Sequence, residues 1–177
     1  LFHPAVRRLI ATGLAGLIRE RGIVPEVVAG TATAGIPHGA LLADLLSLPF
    51  IYIRDKPKAH GLRNRIEGLD AESDLGGRRV VVIEDLVSTG GSSARAVEAV
   101  REAAGLCDWC LSIFSYGLEK AEEEFTALAP PCRHASLLTF PVLLEVARSG
   151  GFLGPEAIAL LEAWRQDPFG WGEKHGF

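Results

Sequence analysis

The sequence predicts an α/β fold in which a central, mostly parallel sheet is flanked by helices on both faces. Short β-rich apolar runs alternate along the chain with longer segments whose apolar residues recur at helical spacing. Such alternation is typical of parallel sheets, because the helices that connect the strands cover the two faces. At 177 residues and 48% hydrophobic content, the chain has the size of one such domain, and we expect a single domain over residues 1–177.

The first half of the chain begins with a predicted amphipathic helix. An apolar stripe that includes Leu14 and Leu17 follows Pro4 and predicts this helix over residues 5–21. Further apolar patterns predict a strand over 26–30, a helix over 37–47 and a strand over 49–55. The stretch from 56 to 75 is polar, with little apolar pattern, and is therefore expected to be a loop.

The second half begins with the clearest strand, "RRVVVIED" over 78–85. A helix is predicted over 92–105, with Gly105 in the left-handed position that follows a helix end. The remaining patterns predict a strand over 109–117, an acidic helix over 119–128, a strand over 135–140, and helices over 141–150 and 154–166.

The composition narrows the classes of function. A net charge of −4 argues against a dominant electrostatic attraction to nucleic acid or to an anionic membrane. No apolar run reaches the roughly 20 residues that a membrane-spanning helix needs. Three cysteines are an odd number and too few for a disulfide framework in a domain of this size. We expect a cytoplasmic protein with reduced thiols that binds neither nucleic acid nor a membrane.

The stretch "VVVIEDLVSTGGSS", residues 80–93, joins two acids to a glycine-rich turn. Its apolar run predicts a buried strand, so Glu84 and Asp85 are expected where the strand leaves the sheet, at the edge where ligands bind in such folds. The turn over 88–93 leads into a helix whose free N–H groups favour a phosphate. Ionised carboxylates only accept hydrogen bonds, so they suit hydroxyl groups or a hydrated metal. A sugar phosphate could bind to both, with its hydroxyl groups on the acids and its phosphate in the turn. The alternative interpretation is an ordinary strand-to-helix loop that binds no ligand.

A second turn of small residues, "GTATAGIPHG" over 30–39, follows the first predicted strand and leads into a helix. Its backbone N–H groups can serve a second anion, although such a turn is more often only a connection. Two turns of this kind in one sheet favour a ligand with phosphate at two ends.

The stretch "YIRDKPKAHGLRNRIEG" over 52–68 is strongly basic and has few core-forming residues after Ile53. Its basic residues are Arg54, Lys56, Lys58, Arg63 and Arg65. We predict a mobile basic loop, which we place over residues 54–75. It is interpreted as a lid that supplies cations to an anionic leaving group, and a solvated charged loop is the alternative.

These motifs together carry a resemblance to a known family. The turn over 88–93 has neither the G-K-[ST] ending of a P-loop nor the G-x-G-x-x-G of a dinucleotide site. The stretch over 80–93 instead resembles the phosphoribosyl pyrophosphate (PRPP) signature of the type I phosphoribosyltransferases. The pattern R-x-K-x-K-x-H-G followed by "IEG" is similar to orotate phosphoribosyltransferases in particular, and the resemblance extends from about residue 4 to the C-terminus.

The resemblance implies a type I phosphoribosyltransferase fold and a role for each motif. The acids would meet the ribose hydroxyls and the turn would bind the 5′-phosphate, which assigns to PRPP the residues Glu84, Asp85, Leu86, Val87, Ser88, Thr89, Gly90, Gly91 and Ser92. The pyrophosphate loop would be Thr31, Ala32, Thr33, Ala34 and Gly35. Arg54, Lys56, Lys58 and His60 would be further PRPP ligands on the basic loop. Lys58 and Asp85 would be catalytic, and Ser88 would contact orotate.

The resemblance also implies a reaction and its partners. The 5-phosphoribosyl group of PRPP would pass to orotate, giving orotidine 5′-monophosphate and pyrophosphate, with Mg²⁺ bound mainly through PRPP and no metal ligand assigned on the chain. The family implies a homodimer in which the basic loop covers the neighbouring subunit's site. Two departures concern the base. The family's N-terminal base-binding segment has no counterpart in this sequence, and Lys120 stands near the place where some members have an arginine for the orotate carboxylate.

Three alternatives remain open at this point. The first is that the chain is a phosphoribosyltransferase for another base. The second is that it is a regulator that binds PRPP without turnover. The third alternative concerns "CDWC", where Cys107 and Cys110 form a C-x-x-C pair typical of a metal or redox site. Buried or edge-strand thiols are the interpretation we favour there, because Cys132 and His134 would complete a metal site at an unusual spacing.

Overall fold

The computed structural model describes residues 1–54, 65–70 and 73–176. These residues belong to two compact units, Leu1–Thr139 and Phe140–Phe177. The first unit contains the sheet with its flanking helices, and the second contains the C-terminal helices. That the whole chain forms one domain stays a prediction.

In the described residues the sheet has six strands. They are β1 (Val27–Thr31), β2 (Phe50–Ile53), β3 (Ile66–Glu67), β4 (Arg79–Val87), β5 (Leu106–Ser115) and β6 (Arg133–Thr139). Their order in the sheet is β3-β2-β1-β4-β5-β6. Every neighbouring pair is parallel except β2 with β3, which is antiparallel. The predicted mostly parallel α/β architecture is confirmed.

Helices cover both faces of the sheet, as predicted. Those of the first unit are α1 (Pro4–Glu20), α2 (Gly35–Leu46), α3 (Gly91–Glu102) and α4 (Glu119–Thr126). Successive residues of a strand face opposite sides, and both sides of β4 are buried. Val81 and Ile83 pack with residues of α1 and α2, whereas Val80 and Val82 pack with residues of α3 and α4. The apolar run of this strand therefore supplies two cores at once.

Strand β4 extends further than its sequence predicts. It continues through Glu84 and Asp85 to Val87, and Glu84 pairs with Ser112 of β5. The acids therefore lie in the last four residues of the strand and not beyond its end. The pairing continues because β5 runs to Ser115, which pairs with Val87.

The end of α3 differs by one residue from the prediction. Ala104, and not Gly105, has the left-handed backbone, with a φ of +58°. The Gly105 N–H donates to the Val100 carbonyl at 3.0 Å and the Ala104 N–H to the Arg101 carbonyl at 3.0 Å, which is a Schellman motif. Gly105 is required for a different reason, because a Cβ there would lie 2.7 Å from Leu75 Cδ1.

The polar stretch before β4 contains structure that its composition does not predict. Strand β3 pairs with β2, and Leu75 is fully buried in the core beneath α3. Residues 55–64 and 71–72, which are most of the predicted lid over 54–75, lie outside the described residues. The mobility of that lid stays a prediction.

The second unit contains α5 (Phe140–Ser149), α6 (Pro155–Gln166) and α7 (Trp171–His175). The rings of Phe140 and Trp164 lie 5.3 Å apart, and Arg148 of α5 forms ion pairs with Glu145 and Glu162. Among the helices of the described residues, none has both the length and the apolar content needed to cross a membrane.

Candidate functional site

A groove of about 370 Å³ lies at the carboxyl ends of β1, β2 and β4. Strands β1 and β4 are neighbours in the sheet, and the connections that leave them lead to opposite sides. In open α/β sheets this is the place where ligands bind. The groove brings together seven of the residues predicted from the sequence: Thr31, Ala32, Arg54, Glu84, Asp85, Leu86 and Ser92.

The Glu84 side chain is held by three hydrogen bonds. Its Oε1 accepts from Thr31 Oγ1 at 2.7 Å and from the Asp85 backbone N–H at 3.1 Å, and its Oε2 accepts from Ser93 Oγ at 3.2 Å. Glu84 follows Val82 by two residues and so faces α3, the helix that carries Ser93. Glu84 is only 8% exposed, and the position of its carboxyl group is fixed by β1, β4 and α3 together.

Glu84 holds its proton more tightly than an ordinary carboxyl group. Burial, followed by a hydrogen bond with the Asp85 carboxyl group, raises the pKa of Glu84 to about 7, and the Thr31 hydroxyl opposes this rise. A carboxyl group with this pKa is partly protonated near neutral pH. Glu84 can therefore either donate a hydrogen bond to a ligand hydroxyl or accept one from it.

The glycine-rich turn after β4 has the geometry of an anion site. Gly90 is the N-cap of α3, with a φ of +83°. The backbone N–H groups of the first turn of a helix have no partner within the helix, and glycine has no side chain that could accept hydrogen bonds from them. A Cβ on Gly90 would also lie 3.0 Å from the Ala121 backbone. Gly91 and Ser92, the next two residues, open the helix. An anion in this turn would meet free N–H groups and the positive end of the helix dipole.

The second turn connects β1 directly to α2. Thr31 ends the strand, residues 32–34 turn with a cis peptide bond between Ala32 and Thr33, and Gly35 opens the helix. A Cβ on Gly35 would lie 2.3 Å from Thr31 Oγ1 and 2.5 Å from the Ile83 carbonyl oxygen. The glycine therefore lets α2 start directly against β1 and β4, beside the acid pair. Ala34, the N-cap, provides no side-chain hydrogen bond, so an anion would find free amides here too.

Two arginines line the groove opposite the acids. Arg54 Nη1 contacts Glu67 Oε1 at 3.0 Å, and Arg65 Nε donates to the Arg54 carbonyl oxygen at 3.1 Å. Arg65 also donates to the Arg95 carbonyl oxygen at 3.2 Å. These contacts hold one guanidinium group on each side of residues 55–64, which lie outside the described residues. Lys56, Lys58 and His60 lie outside the described residues.

Some of the predicted PRPP-binding residues do not line the groove, and the prediction missed one polar residue that bonds to Glu84. Val87 is 1% exposed within the core beneath α3, so only its backbone is available to a ligand. Ser88 and Thr89 form the partly exposed link between Val87 and Gly90. Sequence reasoning missed Ser93, the third residue of α3. The signal for it was its spacing from Val97 and Val100, which places Ser93 on the buried face.

The C-x-x-C pair belongs to the core. Two residues of β5, Cys107 and Asp108, oppose the single residue Val80 of β4 at a bulge. Cys107, Cys110 and Cys132 all lie in the core beneath α3 and α4. A hydrogen bond with Cys132 and burial raise the pKa of Cys107 well above its ordinary value, and burial does the same for Cys110. Within the described residues, no group of three or more His, Cys, Asp or Glu side chains could hold a metal ion. The three cysteines are free and buried, which confirms the preferred interpretation of buried or edge-strand thiols.

A second groove, of about 400 Å³, lies at the amino ends of the strands. Its two arginines already have partners: Arg79 pairs with Glu26 at 3.4 Å, and the Arg133 guanidinium lies 4.4 Å from the centre of the Trp109 ring. It contains neither the acid pair nor a glycine-rich turn. The groove at the carboxyl ends is therefore the candidate functional site.

Comparison with known proteins agrees with this geometry. The family model described as "phosphoribosyl transferase domain" matches residues 1–108. The orotate phosphoribosyltransferase of Lactiplantibacillus plantarum is 46% identical over 170 residues, covering 96% of this chain and 77% of the relative. That of Bacillus subtilis is 45% identical over 168 residues, covering 95% and 75%.

A solved structure supports the same assignment. The orotate phosphoribosyltransferase of Aeropyrum pernix superposes with a TM-score of 0.69 at 26% identity, covering 86% of this chain and 80% of that one. The type I fold implied by the sequence motifs is thereby confirmed. The chain belongs to the phosphoribosyltransferase family and, within it, to the orotate phosphoribosyltransferases.

Proposed function

We propose that the chain transfers the 5-phosphoribosyl group of PRPP to a ring nitrogen of orotate and releases pyrophosphate. The observation that supports this most strongly is the groove itself. It places an acid pair between two turns with free helix-start amides, which suits a ribose that carries phosphate at both ends.

Each part of the groove has a proposed role in binding PRPP. Glu84 and Asp85 bind the ribose hydroxyls, the turn over 88–92 binds the 5′-phosphate, and the turn over 31–35 binds pyrophosphate. Arg54, with Lys56, Lys58 and His60 from the basic loop, completes the cationic side. The two turns are separated by the acid pair, so PRPP is bound at both ends and its C1 is held in one place.

The proposed reaction depends mainly on positioning and electrostatics. Negative charge builds on pyrophosphate as it leaves, and positive charge builds on the ribose. Lys58 and Arg54 stabilise the pyrophosphate, and Asp85 lies beside the ribose. Orotate needs no strong base, because its ring nitrogens are already acidic. Ser88 is the proposed orotate contact.

We propose that Mg²⁺ enters the site on the oxygens of PRPP. Carboxylate oxygens suit this metal, but both oxygens of Glu84 already accept hydrogen bonds from the protein. This arrangement fits a metal held mainly by substrate and water. Bound there, Mg²⁺ would neutralise part of the negative charge that builds up on the departing pyrophosphate.

We also propose a cytoplasmic homodimer in which the basic loop reaches the neighbouring subunit's site. The three cysteines are free thiols, which is usual in a reducing compartment. Leu9 of α1 and Leu45 of α2 are 72% and 51% exposed, and a second copy would cover such apolar side chains. Light scattering during size-exclusion chromatography measures the assembly.

The reaction is tested by the loss of orotate absorbance when PRPP and Mg²⁺ are added, with adenine, hypoxanthine and uracil in parallel. Turnover with orotate alone is the expected result. Turnover with a different base would replace orotate as the substrate. PRPP binding with no turnover of any base would identify a PRPP-binding regulator instead.

Replacing Lys58 with alanine is expected to lower kcat about a hundredfold, because the leaving group loses a cation that acts most strongly as its charge develops. The Kd for PRPP should change less than about threefold. Steady-state kinetics and calorimetry measure the two quantities, with Lys174→Ala in the second unit as the matched control. Equal losses in kcat and in PRPP affinity would contradict a leaving-group role.

Asp85→Asn is expected to weaken PRPP binding about tenfold, because a charged acceptor of ribose hydroxyls becomes a neutral one of the same size. The circular dichroism spectrum should not change. The control is Asp108→Asn, an exposed acid at the opposite end of the sheet. PRPP affinity equal to that of the wild type would show that Asp85 does not bind the ribose.

A further inference from the structure

We propose that Thr31 and Ser93 are positioning residues that act on PRPP through Glu84, by fixing its carboxyl group between the two anion-binding turns. The inference rests on the proposed function for its ligand, but its observations are independent. Neither hydroxyl needs to contact the substrate for this role. Ser93 lies outside the residues that the family motif assigns to PRPP.

The first observation is the position of the two donors. Thr31 is the last residue of β1 and leads into the turn over 32–34, whereas Ser93 is in the first turn of α3. Each donates to a different oxygen of Glu84, at 2.7 Å and 3.2 Å. The three side chains therefore connect the start of one anion-binding turn to the end of the other through a single carboxyl group.

The second observation is burial. Thr31 is 6% exposed and Ser93 is 1% exposed, so water cannot readily replace either donor. Removal of one partner of a buried hydrogen bond leaves the other unsatisfied. Loss of either hydroxyl would leave an oxygen of Glu84 without its donor, and the carboxyl group would move or take up a proton.

The third observation is the constraint on Thr31 itself. Its hydroxyl lies 3.2 Å from the Ile83 carbonyl oxygen as well as 2.7 Å from Glu84. The Cα of Gly35 is so close that a Cβ there would lie 2.3 Å from this hydroxyl. The rotamer of Thr31 is therefore held by the backbone of both neighbouring elements, as a positioning residue requires.

The charges around Glu84 determine how this role can be measured. The titratable and charged groups that face it are Asp85 on the same strand, Cys110 on β5, and Arg54 and Arg65 across the groove. The Thr31 hydroxyl lowers the pKa of Glu84, because it donates to the ionised form. A Thr31 variant without a hydroxyl should keep Glu84 protonated to higher pH.

The test is calorimetric titration with PRPP and Mg²⁺ between pH 5.5 and 8.5, on Thr31→Val, Thr31→Ser and Ser93→Ala. Thr31→Val and Ser93→Ala should each weaken PRPP binding about tenfold at pH 7. In Thr31→Val the pH midpoint of binding should rise by roughly half a unit or more. Thr31→Ser should restore the wild-type midpoint, since it keeps the donor. Ser136→Ala, which removes a half-buried hydroxyl that bonds Ser112 and His134, is the control.

A double-mutant cycle shows whether the effect passes through Glu84. In a Glu84→Gln background, Thr31→Val should no longer move the pH midpoint and should weaken binding less than about threefold. An undiminished effect in that background, or wild-type PRPP affinity in both single variants, would overturn the inference. Because the readout is PRPP binding, a wild-type chain that binds PRPP but does not convert orotate would reject the proposed reaction without affecting this test. A wild-type chain that does not bind PRPP would overturn both.

Discussion

Gly35→Ala is expected to destabilise the chain by about 3 kcal/mol or more, at the upper end of what overpacking a core does. The added Cβ would lie 2.3 Å from Thr31 Oγ1 and 2.5 Å from the Ile83 carbonyl oxygen. Neither neighbour can move at little energetic cost, because one is a strand backbone and the other bonds to Glu84. Helix α2 would have to shift away from β1, and PRPP binding should be lost with the geometry of the groove.

The measurement is urea unfolding followed by circular dichroism. Gly16→Ala in α1 is the matched control, because a Cβ there meets nothing within 4 Å. It removes a flexible residue from a helix interior and should stabilise the chain by about 0.5–1 kcal/mol. A Gly35→Ala chain as stable as the wild type would show that the close approach of α2 to β1 is not needed.

The second large effect is a pair of opposing pH dependences in stability. Burial lowers the pKa of His134 from 6.5 to about 4, whereas burial and Asp85 raise the pKa of Glu84 from 4.5 to about 7. For His134 the unfolded chain binds the extra proton, so its contribution to stability is present above pH 6.5 and is lost as the pH falls toward 4. For Glu84 the folded chain binds the extra proton, so its contribution is present below pH 4.5 and is lost as the pH rises toward 7.

The shifted pKa values of His134 and Glu84 each contribute about 3 kcal/mol to the free energy of unfolding. The two contributions change in opposite directions with pH between pH 4.5 and 6.5. The free energy of unfolding of the wild type should therefore depend only weakly on pH across this range. In Glu84→Gln only the pH dependence that comes from His134 should remain, so the free energy of unfolding of this variant should rise by about 2–3 kcal/mol from pH 4.5 to 6.5. In His134→Asn only the Glu84 contribution should remain, so the free energy of unfolding should fall over the same range. Urea unfolding at three pH values measures both, and parallel profiles in the two variants would contradict the assignment.

The sequence predicted the sheet well because its strongest signals are local. The valine-rich run before Glu84 predicts a buried strand, and the glycines at 35 and 90 predict close approaches or turns, which the structure confirms. Both kinds of signal depend on residues near each other in the chain. The same holds for the motifs that identified the family.

Features that depend on distant parts of the chain were not predictable in this way. Strand β4 continues past its acids because β5 offers partners there, and the sequence of β4 does not contain that information. The hydrogen bonds from Thr31 and Ser93 to Glu84 join residues from three elements. Ala104 adopts a left-handed conformation, which alanine disfavours, because the Schellman bonds and the packing of Gly105 against Leu75 determine it.

The position of β1 next to β4 has a consequence for the order in which the molecule folds. The two strands pair in parallel, yet Val27 and its partner Val80 are roughly fifty positions apart along the chain, and closing such a loop is slow. By contrast, β4, α3 and β5 are consecutive and form a local unit. A chain that has folded only this unit holds the 5′-phosphate turn without its counterpart. We therefore expect the groove to be completed late in folding, when β1 joins the sheet.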